Sequence, residues 1–164
     1  MGRFMNHKKW VVALALIATA LILTHLPVSE ADAAASASDF QIEGSTLTKY
    51  RGSDERVTIP DTVEVVGESA FENNQKVQLV VVPKSVKRMD AYVFWGCDNL
   101  EEVVLGKGLT SVDEYAFSGC TGLKQITIPE NVQSIDAQAF AGCTNLTDIY
   151  IPDTVTSIDR KSVV

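Results

Sequence analysis

Histidine and cysteine are scarce: 2 His and 3 Cys in 164 residues. Two imidazoles leave little with which to build a catalytic zinc site or a His-activated nucleophile. Three thiols are an odd number, so they cannot all pair. Positive charge is also short. Lys+Arg is 14 against Asp+Glu 21, a net charge of −7, which disfavours nucleic acid, whose binding rests on cations that neutralise phosphates. An anionic membrane surface is disfavoured for the same reason. Long apolar runs are nearly absent too. The one candidate, Trp10 to Leu23, has 14 uncharged residues, fewer than the roughly 20 that a span requires. What is present is a hydrophobic fraction of 46%, enough for the packed core of one domain and against wholesale disorder.

The apolar run follows a basic start (Arg3, Lys8, Lys9) and precedes the small-residue stretch from Ala31 to Ala37. That order describes a secretory signal peptide over residues 1–33. The expected cut follows Ala33, with Ala35 and Ala37 as neighbouring options. Cleavage removes three basic and two acidic residues and both His7 and His25, leaving 131 residues at net −8. A mature chain without histidine cannot form a Ser-His-Asp or Cys-His pair.

The remainder is organised by an internal repeat of 23 residues. Pro60, Pro83, Pro129 and Pro152 share the period, with Gly106 in the missing slot. Phe71, Phe94, Phe117 and Phe140 share it, as do Cys97, Cys120 and Cys143, and Val77, Leu100, Leu123 and Leu146. Each unit has an alternating piece such as Ile126-Thr127-Ile128, read as a short strand with one face inward. Proline then ends the ladder because it has no N–H to donate. Pairs such as Val132/Ile135, followed by Ala139-Phe140, must fold back over that strand to bury themselves. A single unit cannot hide its apolar face, so neighbours stack, with strands in register about 4.8 Å apart and the phenylalanines in one spine.

The units from Thr62-Val63 to Asp148-Ile149 resemble leucine-rich repeats of the BspA type, found in bacterial surface and secreted proteins. Phe40 to Gly44 with Leu47 to Tyr50 resembles the hairpin that precedes the first such repeat. Gly106 for Pro, Val93 for Ala and Asn73-Asn74 for Gly-Cys depart from the pattern. The resemblance implies an α/β, right-handed leucine-rich-repeat solenoid of 23-residue coils with a short parallel sheet and an N-terminal hairpin cap. The expected layout is signal peptide 1–33, cap 34–56 and repeats 57–164, about four full coils and a partial fifth. The resemblance implies no catalytic residues, metal or cofactor.

Several columns admit two readings. The cysteines could form disulfides in a secreted protein, but side chains on adjacent coils point the same way, which favours a ladder of buried thiols begun by Asn74. Asp90, Asp113, Asp136 and Asp159, with Gly67 in the first unit, could bind calcium. One carboxylate per coil supplies too few ligands, which favours turn capping or tolerance of the left-handed backbone that Gly67 adopts freely. Asn145-Leu146-Thr147 fits a glycosylation sequon, yet its place in a repeat loop favours a turn residue.

The outward strand positions are the candidate binding face: Leu79, Val81, Glu102, Val104, Gln125, Thr127, Asp148 and Tyr150. Solenoids bind on such surfaces, and Leu79, Val81 and Val104 would form an apolar patch there. After Asp159 the expected Ala-Phe is replaced by Ser162-Val163, so the last coil lacks a polar cap. This is read as truncation, or as an edge that pairs with a second chain. The expected function is a secreted or surface-associated module that binds a protein (host, matrix or bacterial surface) by contact, with no nucleic acid, no membrane in the mature form and no catalysis. The alternative is an inert structural N-terminal piece of a larger surface protein. Carboxylate-only hydrolysis needs a facing acidic pair, and none stands out from the repeat background.

Overall fold

The structure, a computed structural model, describes residues 35–159 and 161. The expected signal segment, 1–33, lies outside the described residues. A short 3-10 turn, Ala37–Asp39, leads into a hairpin of β1 (Phe40–Glu43) and β2 (Thr46–Tyr50). Gly44 supplies the left-handed step at its turn, with φ 63°.

Each coil that follows contributes two strands. The first set is β3 (Arg56–Thr58), β5 (Leu79–Val81), β7 (Glu102–Val104), β9 (Gln125–Thr127) and β11 (Asp148–Tyr150). They form one five-stranded parallel sheet in that order, each strand pairing with residues 23 positions away, such as Val57 with Val80 and Ile126 with Ile149. The second set is β4 (Val65–Val66), β6 (Arg88–Met89), β8 (Ser111–Val112), β10 (Ser134–Ile135) and β12 (Ser157–Ile158). β2 extends the cap hairpin into this second parallel array by pairing with β4, while the pairing is interrupted between β6 and β8. The 3-10 turn is the only helix among the described residues.

Alternation along the strands sets which side is core. Val57, Val80, Val103 and Ile126 are buried between exposed or half-buried neighbours. From the other side come Val66, Met89, Val112 and Ile135, also buried. Between them runs the aromatic spine, with Phe71, Phe94, Phe117 and Phe140 fully buried and ring centroids 5.1, 5.4 and 5.3 Å apart. It continues into the cap through Tyr50, 5.0 Å from Phe71, and Phe40, 5.1 Å from Tyr50.

The thiol ladder is as expected. Cys97, Cys120 and Cys143 are free and buried, and each Sγ donates to the carbonyl of Phe71, Phe94 or Phe117 at 3.1 Å. Asn74 plays a different part at the head of the column, its Oδ1 accepting from the backbone of Lys76 and Val77 at 2.9 and 3.1 Å.

The left-handed step falls elsewhere than expected. Neither Gly67 nor the Asp column adopts it. It occurs two residues later, at Ser69, Tyr92, Tyr115 and Gln138, and again at Asn73, Gly96, Gly119 and Gly142. The chain must reverse after the second strand, and that reversal completes past the aspartate. Of the aspartates, Asp159 accepts from the backbone of Lys161 at 2.9 Å in the manner of a cap. Asp90 pairs with Arg88 at 2.7 Å, and Asp113 accepts from the Ser111 hydroxyl at 2.6 Å.

Candidate functional site

The open face of the five-stranded sheet carries two columns of side chains, because residues on either side of each buried strand centre point away from the core. The first column is Arg56, Leu79, Glu102, Gln125 and Asp148, aligned by strand pairing. The second is Thr58, Val81, Val104, Thr127 and Tyr150. All eight residues expected from the sequence therefore lie on one face. Leu79, Val81, Glu102 and Tyr150 are half-buried, and Gln125, Thr127 and Asp148 are exposed. Val104 is 41% exposed, high for a valine in a paired strand.

The face divides by chemistry. Leu79, Val81 and Val104 are neighbours across the two adjacent strands β5 and β7 and make its apolar centre. Toward β11 the surface turns polar and acidic. Tyr150 donates to Glu130 Oε1 at 3.2 Å. Desolvation first and the Glu130 hydrogen bond second hold its phenol above the ordinary value. Beside Glu102 and Gln125, Glu101 and Lys124 form an ion pair at 2.7 Å. Toward β3 the column ends in Arg56, which the strand alternation also places outward but which the sequence reading omitted. Carrying the Leu79 column back one period would have found it.

A second aromatic surface was also missed. Tyr92 and Tyr115 stack face to face, 4.9 Å apart and within 7° of parallel, and Trp95 is 38% exposed in the turn that follows Tyr92. The tyrosines sit one period apart in the sequence, so the signal was present.

Among the described residues, the thiols are poorly suited to covalent chemistry. Burial pushes the Cys97 thiol up to about 12 and Cys143 to about 11, and raises Cys120 further still. Such thiols are poor nucleophiles, because the thiolate is the reactive form. Among the described residues no group of three or more His, Cys, Asp or Glu could hold a metal ion. Asn145 behaves as a turn residue, its side-chain amide donating to the Thr121 carbonyl at 2.8 Å as Asn99 does to Gln75.

A family model for the BspA type leucine rich repeat region matches residues 45–163 in six copies. Among solved structures, the chain is similar to a leucine rich cell surface protein from Faecalibacterium prausnitzii A2-165, with 33% identity and a TM-score of 0.69. The match covers 71% of this chain and 31% of that one. It is also similar to a leucine rich repeat protein from T. pallidum, with 28% identity, a TM-score of 0.74, and coverage of 77% and 64%. A leucine-rich repeat protein from Bacteroides capillosus matches at 28% identity and a TM-score of 0.56, covering 68% of this chain and 97% of that one. The chain thus spans less than two thirds of the length of the first two. A comparison with curated proteins finds no match.

Proposed function

We propose, on the premise that this chain belongs to the BspA-type leucine-rich-repeat family, that it is a secreted or surface-exposed module binding a protein ligand on the open face of its five-stranded sheet. Binding is by contact and involves no catalysis. The family and the fold indicate a scaffold for protein interaction and no enzymatic class. The observation that carries the reading is the apolar centre formed by Leu79, Val81 and Val104 with its polar surround. A buried apolar centre inside a polar rim is the usual anatomy of a protein interface. The basic start and apolar run before Ala33 support export.

The test compares capture of surface-extract proteins by the immobilised chain and by two variants. Replacing Glu102, Gln125 and Tyr150 with Ala, or Val81 and Val104 with Ser, should weaken capture at least tenfold, a loss of about 1.4 kcal/mol. The thermal midpoint should move little, since these side chains face outward. Capture retained by both variants rules out this face. A second reading, a structural segment of a larger surface protein, is favoured by the short span of the chain against the F. prausnitzii structure. It predicts no saturable capture by the parent chain at all.

A further inference from the structure

Wrapping the chain at 23 residues gathers lysines at the turn between the two strand sets. Positions 61, 84, 107, 130 and 153 form one column there and read Asp, Lys, Lys, Glu, Asp. Positions 64, 87, 110, 133 and 156 form the next and read Glu, Lys, Thr, Gln, Thr. Three lysines therefore fall on two adjacent coils, in two columns whose other residues are acidic or neutral. Lys84, Lys87 and Lys107 line a depression of about 560 Å³ together with Asp61, Ser85 and Asn131. That volume lies within the range of roughly 300–1,000 Å³ common to small-ligand sites.

Three features suit this depression to an anion. Among the described residues the ion pairs are Arg88–Asp90 and Lys124–Glu101, so none of the three ammonium groups is neutralised at 4 Å. Ser85 lines the same depression, and its Oγ is buried without a hydrogen-bond partner among the described residues. Such orphaned hydroxyls are uncommon and call for an explanation. The backbone there is also held close. The Asn131 side-chain amide donates to the Lys107 carbonyl at 2.6 Å. Any side chain at Gly108 would run into the carbonyls of Lys84 and Val86.

We propose that this depression binds a phosphate group. Ammonium groups act on phosphate as point charges, and three of them, less the Asp61 carboxylate in the same lining, match its two negative charges. The Ser85 hydroxyl, buried beneath the depression without a partner among the described residues, would donate to a phosphoryl oxygen on turning outward about its Cα–Cβ bond. Asp61, at the rim, accepts hydrogen bonds and favours a phosphate carried on a hydroxyl-bearing moiety over a bare polyanion. None of the open-sheet residues takes part, so this site and the protein-binding face stand or fall separately.

The test is calorimetric titration of the full chain with inorganic phosphate and with glycerol 3-phosphate at low ionic strength. At least one should bind saturably in the millimolar range or tighter. Tighter binding of the ester assigns the ligand as a phosphate ester, and equal binding assigns it as phosphate itself. Either outcome supports the site. Replacing Lys84, Lys87 and Lys107 together with Gln should weaken binding at least tenfold, and replacing Lys76 and Lys124 with Gln should leave it unchanged. Ser85→Ala should weaken binding severalfold without lowering the thermal midpoint, because the lost hydroxyl bonds nothing in the fold. No saturable binding of either probe overturns the proposal. So does equal weakening by the two lysine sets.

Discussion

Four coils place a side-chain-bearing residue in the left-handed region at the same step: Ser69, Tyr92, Tyr115 and Gln138, with φ between 54° and 60°. For an L-residue that conformation costs about 1–2 kcal/mol. Gln138→Gly should therefore raise stability by about 0.5–1 kcal/mol, the relief being partly offset by the greater freedom of glycine when unfolded. A urea titration measures it, and a lower midpoint would show that the step is not strained. The sequence did not reveal this position, because a left-handed step is usually flagged by Gly or Asn, and here Ser, Tyr and Gln carry it. Gly67 misled for the converse reason. A backbone angle is not encoded by one residue type.

At the same scale, Asp113 is raised above the ordinary carboxylate value. Desolvation leads, the Ser111 hydrogen bond opposes it, and the Asp136 and Asp90 charges add to it. A raised folded-state value means that the native chain holds its proton more tightly than the unfolded chain. The group then costs stability as pH rises above 3.8, its ordinary value. Asp113→Asn should therefore be more stable than the parent at pH 7, with the gap closing as pH falls toward that value. A gap that widens on acidification would reverse the sign of the argument.

Among the elements, the aromatic spine was fully legible in the sequence, because its period and its residue type agreed in every coil and a small Ala precedes three of the four phenylalanines, with Val93 before the fourth. Phe117 stacks on both Phe94 and Phe140 and is fully buried. Phe117→Ala should cost about 3–5 kcal/mol, read from denaturant unfolding. A melt like the parent's would remove the spine from the core. The extension of the spine into the cap was not legible, since Tyr50 and Phe40 stand outside the 23-residue period. Tyr50 is the junction. Gly52 leaves room for its ring, where a side chain would collide, and its hydroxyl donates to Asp54 at 3.0 Å. Burial first and that hydrogen bond second push the phenol from 10.0 to about 12. Its contribution is present below pH 10 and is lost as pH rises toward 12, so the parent should lose stability across that window and Tyr50→Phe should lose less. The second strands were half legible. Pairs such as Val132 and Ile135 announced burial, but their two-residue length gave no alternation from which to read pairing.

In the described solenoid, each coil touches only its neighbours, so local stability depends on how completely a coil is covered. The core column on the second strands measures this cover. Val66, Met89 and Val112 are 0% exposed and Ile135 is 1%, whereas Ile158 is 43%. Ile149, Ile151 and Val155 are likewise only partly buried against the core. Hydrogen bonding does not follow the same gradient. The Asp136 amide donates to Val112 at 2.9 Å, and the Asp159 amide makes the equivalent bond to Ile135 at 3.0 Å. The two amides thus differ in packing and hardly at all in bond geometry, which makes them a direct probe of coil-to-coil coupling. If openings are local, the Asp159 amide should exchange with solvent at least about tenfold faster than that of Asp136, because less apolar area must be uncovered to free it. If the solenoid opened only as one cooperative unit, the two would share a single protection factor. Equal protection would therefore refute coil-by-coil stability and require coupling beyond nearest neighbours along the spine.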